Sequence, residues 1–359
     1  MSVILDQSRL SRAKRAFSTR RMNQADFQVL LEAEDLAGYT FQSGDLALAR
    51  VDNIGHHKRV ERPDGRRARL FEGDEIIVAI GARYAPDQYE ALVPTHLGPC
   101  HLAAAGGVAG RIVEMHDRII RPTEITLLGL IGSRRKRPLN LTDAALAPCA
   151  ITPDIPAIVV AGTSMNSGKT TTAAGLVHGL SAAGRRVGAI KVTGTGAGGD
   201  FWHFTDAGAT QVLDFTDAGY VSTYLQTEEA LDMITATLMG ELAAKGCDVA
   251  VIEVADGLGL GETADLLRRP LMRRVAPKAL YAAREAAGAV HGVEWLINHG
   301  YDVIGVSGQI SRSPLTMREY ENMADTPCLS FETLCDPAFA SGLLQPQQPD
   351  TDIQFCTAS

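Results

Sequence analysis

The sequence contains no apolar run near the roughly 20 residues that a helix needs to cross a bilayer. Its six cysteines form no Cys-x-x-Cys pair and no metal-ligand spacing, so we expect reduced thiols. The first 15 residues include Asp6 and scattered basic residues, where a secretory signal would need a continuous apolar core. With 45% apolar and 21% charged residues, the chain is predicted to be an ordinary cytoplasmic protein without a membrane partner.

The chain also has no strong excess of basic over acidic residues. Residues 1–150 carry 21 Lys and Arg against 18 Asp and Glu, whereas residues 151–359 carry 13 against 24. The acidic second half argues against a nucleic-acid partner, because binding to a phosphate backbone needs a positive surface. Basic clusters at 58–59, 66–69 and 134–137 are interpreted as solvated hairpin and linker charges. The alternative is that they bind an anionic substrate or RNA.

The length of 359 residues predicts two domains. Residues 1–132 are expected to form a β-rich domain, a small barrel or sandwich, that binds substrate or a partner. Short apolar runs at 46–51 and 75–80 each follow a Gly-Asp pair, and Pro63-Asp64-Gly65 between them predicts a turn. A helix is expected over 23–36, a linker over 133–154, a nucleotide-binding domain over 155–340 and a poorly ordered tail over 341–359.

Apolar runs and helical patterns alternate from residue 155 onward. This alternation predicts an α/β fold with a mostly parallel sheet covered by helices on both faces. Ligands of such sheets bind at the carboxyl ends of the strands. The predicted strands are 155–161, 187–192, 211–215, 249–254, 279–282, 303–306 and 328–330, and the predicted helices are 168–183, 227–245, 284–298 and 315–324.

A phosphate-binding loop follows the first of these strands. The apolar strand, the loop and the helix after it are the context that this motif requires. Successive backbone N–H groups would face the phosphates, while Lys169 supplies a mobile positive charge and Thr170 holds Mg²⁺. The leading glycine stands one position earlier than in the standard motif. The predicted loop residues are Gly162, Thr163, Ser164, Met165, Asn166, Ser167, Gly168, Lys169, Thr170 and Thr171.

Three further charged residues follow predicted strands. Lys191 ends the second strand beside a glycine-rich segment, where it can neutralise a phosphoryl group in transit. Glu253 ends an apolar strand and cannot stay unpaired in the core, so a metal or a polarised water is its expected partner. Asp200 either caps a helix or ligates Mg²⁺, and Asp206 and Asp214 are its alternatives.

Together these features resemble the dethiobiotin synthetase and cobyrinic acid a,c-diamide synthase group of P-loop proteins. That group also has five residues between its first glycine and Gly-Lys-Thr. Lys191 matches the lysine that helps to bind substrate and phosphoryl groups there, Glu253 matches the metal-binding glutamate, and Asp200 matches the metal aspartate best. The chain departs from the group after Glu253, where 254–257 replaces a Gly-Ala-Gly-Gly type of segment.

A weaker resemblance connects the chain with the P-loop family of D-glutamate N-acetyltransferase. The segments that carry it are Thr193-Gly194-Thr195-Gly196, Asp206-Ala207 and Asp214-Phe215. Both resemblances cover only residues from about 155 to 330, and the N-terminal domain is not part of either.

The first resemblance implies a homodimeric Mg²⁺–ATP ligase. The enzyme would phosphorylate a carboxylate or carbamate of a small molecule, and an amine would then capture the activated group. Lys169 and Lys191 would be catalytic, and Thr170, Asp200 and Glu253 would hold the metal. The open alternatives are a small-molecule kinase, an acetyl-CoA-dependent N-acyltransferase and a regulatory or chaperone NTPase. No base-reading motif decides between ATP and GTP.

Overall fold

The structure is a computed structural model that describes residues 3–149 and 154–344. The first described part is rich in strands, as predicted. It contains a single α-helix among short 3-10 turns. Its elements are β1 (Val3–Ile4), α1 (Gln7–Arg12), β2 (Lys14–Arg15), β3 (Val29–Leu31), β4 (Leu46–Asn53), β5 (Arg59–Glu61), β6 (Arg67–Arg69), β7 (Glu75–Ile80), β8 (Arg83–Tyr84), β9 (Tyr89–Leu92), β10 (Gly98–Ala104), β11 (Val108–Met115) and β12 (Thr123–Gly132).

Five of these strands close into a ring of hydrogen-bonded pairs. β12 pairs with β4, β4 with β7, β7 with β11, β11 with β10, and β10 returns to β12. Alternate residues of β4 divide between two apolar clusters, with Ala47 and Ala49 in one and Leu46 and Leu48 in the other. Since successive side chains point to opposite faces, a strand that is covered on both sides reads as a continuous apolar run.

The helix predicted over 23–36 is wrong. This stretch contains a 3-10 turn at Gln24–Asp26 and the strand β3, which pairs with both β1 and β12. Three apolar residues in a row suit an inner strand of a sheet, and pairing on both sides outweighs the local helical preference. The predicted turn at Pro63-Asp64-Gly65 does connect two antiparallel strands, the short β5 and β6.

The second described part alternates strands and helices. Its strands are all parallel and are arranged in the order β15-β14-β16-β13-β17-β18, with apolar clusters on both faces. The α/β prediction is therefore confirmed. The elements are β13 (Ala157–Gly162), α2 (Lys169–Ala182), β14 (Val187–Lys191), α3 (Gly198–Asp206), β15 (Gln211–Asp214), α4 (Glu228–Ala244), β16 (Val249–Glu253), α5 (Gly261–Arg268), α6 (Pro270–Val275), β17 (Lys278–Ala283), α7 (Ala286–Asn298), β18 (Asp302–Gly308), α8 (Pro314–Glu321), α9 (Phe331–Cys335) and α10 (Pro337–Gly342).

Two predictions for the ends of this region differ from the structure. The segment 328–330 is not a strand, although Cys328 makes one isolated bridge to Val306. Residues 341–342 still belong to α10, residues 343–344 follow it, and the remainder of the predicted tail, 345–359, lies outside the described residues. Among the helices in the described ranges, none combines the length and the apolar character needed to cross a membrane.

The two sheet regions pack against each other through buried polar contacts. Arg20 pairs with Asp214 and Asp217, at 3.2 Å from Asp214 Oδ1. The turn between β10 and β11 lies on the glycine-rich segment that follows β14, so Gly106 approaches the main chain of Gly196. The β-rich region therefore reaches the carboxyl end of the parallel sheet, where ligands of such sheets bind.

The close approach at Gly106 gives a testable prediction. A Cβ atom at this position would lie 2.0 Å from the Gly196 carbonyl oxygen and 2.6 Å from Ala197 Cα. Because both contacts are with main chain, Gly106→Ala is expected to lower the free energy of unfolding by about 1–3 kcal/mol. Gly259→Ala is the control, since a Cβ there meets nothing within 4 Å. Equal melting temperatures for the two variants would contradict the close packing.

Candidate functional site

The predicted phosphate loop lies between β13 and α2. Two of its residues have left-handed backbone, Asn166 with φ 60° and Gly168 with φ 101°. A Cβ on Gly168 would lie 2.7 Å from Gly308 Cα, and one on Gly162 would lie 2.6 Å from the Ala282 carbonyl oxygen. Both glycines are therefore required by space, and the loop leads directly into the N-terminus of α2, which favours anions.

Lys169 and Thr170 are the first two residues of α2 and follow the loop directly. The Lys169 side chain is buried, and its Nζ donates to the Ser164 carbonyl oxygen at 2.8 Å. Thr170 Oγ1 lies 2.9 Å from Asp200 Oδ1 and 3.1 Å from Glu253 Oε1. One hydroxyl thus joins two carboxylates that are 53 positions apart in the chain.

Strand pairing brings Lys191 to the same place. β14 and β16 are neighbours in the sheet, and their register sets Lys191 opposite Glu253. Lys191 forms an ion pair with Asp200, the third residue of α3. The four residues predicted from separate motifs therefore meet at one point at the carboxyl ends of adjacent strands.

Burial and charge shift the pKa values in this cluster. Burial, together with the charge of Asp200, raises the pKa of Glu253 to about 7. Burial would also raise the pKa of Asp200, but the charge of Lys191 and its hydrogen bond lower it below the ordinary value. Burial lowers the pKa of Lys169, against the charges of Glu253 and Asp256. Opposite shifts in neighbouring groups are common at functional sites.

The donor atoms suit a hard divalent cation. Glu253 Oε2 is buried without a hydrogen-bond partner, and the Thr170 hydroxyl stands between two carboxylates. The described residues contain no cluster of three or more His, Cys, Asp or Glu able to hold a metal ion by themselves. Mg²⁺ is usually held by one or two carboxylates with phosphate oxygens and water, so the residues present fit that ion when a nucleotide accompanies it.

The alternatives to Asp200 lie elsewhere. Asp214 accepts hydrogen bonds from Arg20 and from Thr216, and it therefore serves the contact between the two regions. Asp206 ends α3 on the exposed surface. Of the three aspartates, Asp200 is the one that contacts Thr170.

A cavity of about 460 Å³ opens beside the loop. One wall consists of loop residues with Lys191, Asp200, Glu253 and Asp256. The opposite wall comes from the β-rich region and is lined by His57, Arg83, Tyr84, Ala85, Gln88, Ala104 and Ala105. Asn166 of the loop donates to Asp87 Oδ2 at 2.7 Å and connects the two walls.

Sequence reasoning missed His57 and Arg83. Two segments of this wall have an unusual composition, the polar and aromatic segment 84–90 and the glycine-rich segment 103–110. The structure places Tyr84, Ala104 and neighbouring residues of both segments on the cavity wall. Their unusual composition was consistent with a ligand contact. No local pattern, however, indicates which distant loop they face.

No protein-family model matches the sequence, and no curated protein matches it. Solved structures similar to parts of the chain include two of the signal recognition particle receptor FtsY from Elizabethkingia anophelis and the kinase domain of Escherichia coli tyrosine kinase ETK. The first FtsY structure is 18% identical over 45% of this chain and 52% of its own, with a TM-score of 0.31. The ETK domain is 17% identical over 42% and 66%, with a TM-score of 0.33.

The second FtsY structure, in complex with GDP, is 14% identical over 55% of this chain and 66% of its own, with a TM-score of 0.36. The matches therefore span less than two thirds of those chains. The P-loop fold is assigned from the strand–loop–helix geometry, the two constrained glycines and the parallel sheet. A fold of this kind binds nucleotide phosphates at the loop.

Proposed function

We propose that this protein transfers the γ-phosphoryl group of Mg²⁺–ATP to a small molecule. The observation that carries the proposal is the Thr170 hydroxyl, which lies between Asp200 and Glu253 directly after Gly168 and Lys169. Loop amides and Lys169 would hold the phosphates, and Thr170, Asp200 and Glu253 would hold Mg²⁺. Catalysis of phosphoryl transfer depends mainly on positioning and electrostatic stabilisation, and the charged groups of this cluster would contribute to both.

Lys191 has the role of stabilising charge on the group in transit. Burial would lower its pKa, but the charges of Asp200 and Glu253 outweigh burial and raise it, so the ammonium stays charged. It lines the same cavity as Lys169. Two lysines beside a phosphoryl group would compensate the negative charge that the oxygens carry during transfer.

The finer proposal is a ligase, supported by the resemblance to dethiobiotin synthetase. A substrate carboxylate or carbamate oxygen would attack the γ-phosphorus, and the bond to the β,γ-bridging oxygen would break to release ADP. An amine would then attack the acyl phosphate and displace inorganic phosphate, with loss of a proton from the amine. The cavity of about 460 Å³ beside the loop has the size of a small-molecule site.

A thermal-shift series tests the nucleotide proposal. A ligand that binds only the folded state raises the melting temperature by mass action. We expect stabilisation by ATP that depends on Mg²⁺, with weaker effects of GTP and acetyl-CoA. Stabilisation by acetyl-CoA alone would overturn phosphoryl transfer in favour of acyl transfer. ADP release that needs an acid but no amine would replace the ligase by a kinase.

The raised pKa of Glu253 predicts how Mg²⁺ binding depends on pH. Because its pKa is near 7 instead of 4.5, the unliganded fold favours the protonated carboxyl. That contribution to stability is complete below about pH 4.5 and is lost as the pH rises through about 7. Only the ionised form ligates Mg²⁺, so the stabilisation by Mg²⁺–ATP is expected to grow as the pH rises from 6 to 8. Melting temperatures with and without Mg²⁺–ATP across this range, at about one-unit steps around the shifted pKa, measure the effect; a flat difference would contradict it.

A further inference from the structure

Arg83 is a buried cation on the wall opposite the phosphate loop. It belongs to the short strand β8, and 7% of its surface is exposed. Its guanidinium donates to the Ala103 carbonyl oxygen and, at 3.0 Å, to Gln88 Oε1, and it lies 3.3 Å from His57 Nε2. These contacts hold the planar group in one orientation beside the cavity.

The charge of Arg83 has no direct counter-charge. Within the described ranges it forms no ion pair, and its Nε atom is buried without a hydrogen-bond partner. The nearby carboxylate of Asp87 accepts instead from Asn166 of the phosphate loop. A buried charge destabilises the folded protein unless it is paired and fully hydrogen-bonded. An anion bound at this wall would therefore stabilise the fold.

The charges of Asp87 and Asp256 act on Arg83 and raise its pKa, but burial outweighs them and neither carboxylate forms an ion pair with it among the described residues. Burial lowers the pKa of His57 to about 3, and Arg83 adds to the effect, so His57 is neutral at physiological pH. Burial lowers the pKa of Arg83 itself to about 10, so the guanidinium stays protonated. Asp256, on the wall of the phosphate loop, interacts with Lys169 and Lys191 as well as with Arg83, and burial raises its pKa.

We propose that Arg83 binds an oxyanion group of the small-molecule substrate, a carboxylate or a phosphate, on the wall of the cavity opposite the phosphate loop. A guanidinium fork matches either group in a bidentate way. The loop amides and two lysines already serve the nucleotide on the other wall, and Arg83 is left for the acceptor. This assignment rests on the proposed function, because it names the substrate class of the same cavity.

Two variants separate the subsites. Arg83→Met replaces the cation by an apolar chain of similar length, and Lys169→Ala removes the loop lysine. Melting temperatures are measured with acetate, succinate and inorganic phosphate against sodium chloride at equal ionic strength, and with acetamide and succinamide as uncharged counterparts. General anion effects on stability act on all variants alike, so the difference between variants reports the specific site. Arg66→Met, at an exposed arginine of the same region, is the matched control.

The expected result is a crossed pattern. The rise with succinate persists in Lys169→Ala and is lost in Arg83→Met, whereas the rise with Mg²⁺–ATP persists in Arg83→Met and is lost in Lys169→Ala. Inorganic phosphate also fits the phosphate loop, so a phosphorylated substrate is identified by a phosphate response that persists in Lys169→Ala and is lost when Arg83→Met is added to that variant, whereas a succinate response alone identifies a carboxylate substrate. An unchanged anion response in Arg83→Met, or loss of the Mg²⁺–ATP response in that variant, would overturn the assignment.

The unliganded variants give an independent readout. Since Arg83 is buried without a counter-charge, Arg83→Met is expected to melt at a higher temperature than the wild type when no anion is present. Arg83→Lys keeps the charge and is expected to retain part of the anion response. This variant replaces Arg83→Met in the comparison if the methionine variant does not fold. A lower melting temperature for a folded Arg83→Met would show that the arginine is structural. Absence of any Mg²⁺–ATP response in the wild type would remove the proposed function while leaving the anion site standing.

Discussion

Lys169→Ala is expected to abolish the stabilisation by Mg²⁺–ATP and to leave the fold intact. In the structure Nζ donates to the Ser164 carbonyl oxygen and, among the described residues, makes no ion pair. Burial lowers the pKa of this lysine, so removal of the charge relieves a desolvation cost in the unliganded fold. Turnover should fall by about 10²–10³-fold, which is typical for the loss of one donor to a reacting group.

The measurement compares melting temperatures and ADP release for Lys169→Ala with those of Lys245→Ala. Lys245 follows α4, and 55% of its side chain is exposed, so it controls for the loss of a positive charge far from the loop. Circular dichroism of both variants checks that the fold is unchanged. A Lys169→Ala protein with the nucleotide response and turnover of the wild type would remove the phosphate site from the proposal.

The α/β architecture could be predicted because its signals are local. Buried parallel strands are continuous apolar runs, and the helices between them follow caps and turns that lie within a few residues. Every strand predicted between 155 and 306 is present, and the end points differ by one or two residues. The loop was predictable for the same reason, because Gly162 and Gly168 lie only six positions apart in the sequence.

The choice among the three aspartates could not be made from sequence. Asp200 and Asp214 both follow apolar strands or glycine-rich segments, and both have metal-ligand chemistry. What separates them is Arg20, which is 194 positions before Asp214 in the chain and neutralises it across the contact between the two regions. No local pattern contains that pairing.

The residues of the opposite cavity wall could not be identified from the sequence for a similar reason. Arg83 is an ordinary polar residue in its local sequence, and its importance comes from burial without an ion pair among the described residues, which only the folded chain shows. His57 lies on the cavity wall beside it through a contact 26 positions along the chain. The failed helix over 23–36 is the reverse case. The helix was predicted from the local sequence alone. Pairing with β1 on one side and β12 on the other makes the apolar segment a strand instead.

Glu253→Gln is expected to remove the Mg²⁺ dependence of nucleotide binding more than the binding itself. Glutamine keeps the size of the side chain and its contact with Thr170, but it brings a neutral amide to a site where Oε2 now has no partner. Affinity for Mg²⁺ should fall by more than the roughly 10–100-fold that the loss of a supporting residue costs. Phosphate contacts from the loop remain, so ADP without metal should bind nearly as in the wild type.

The same variant tests the origin of the pH dependence. If Glu253 is the group whose pKa lies near 7, the increase in Mg²⁺–ATP stabilisation between pH 6 and 8 disappears in Glu253→Gln, because glutamine does not titrate. Asp206→Asn is the matched control, since this carboxylate was an alternative ligand and lies on the exposed end of α3. Retained metal and pH dependence in Glu253→Gln, with loss of both in Asp206→Asn, would move the cation site away from the loop. Loss in Glu253→Gln alone makes the carboxyl end of β16 the place where the metal and the proton compete, and the unpartnered oxygen of Glu253 is then the atom for which they compete.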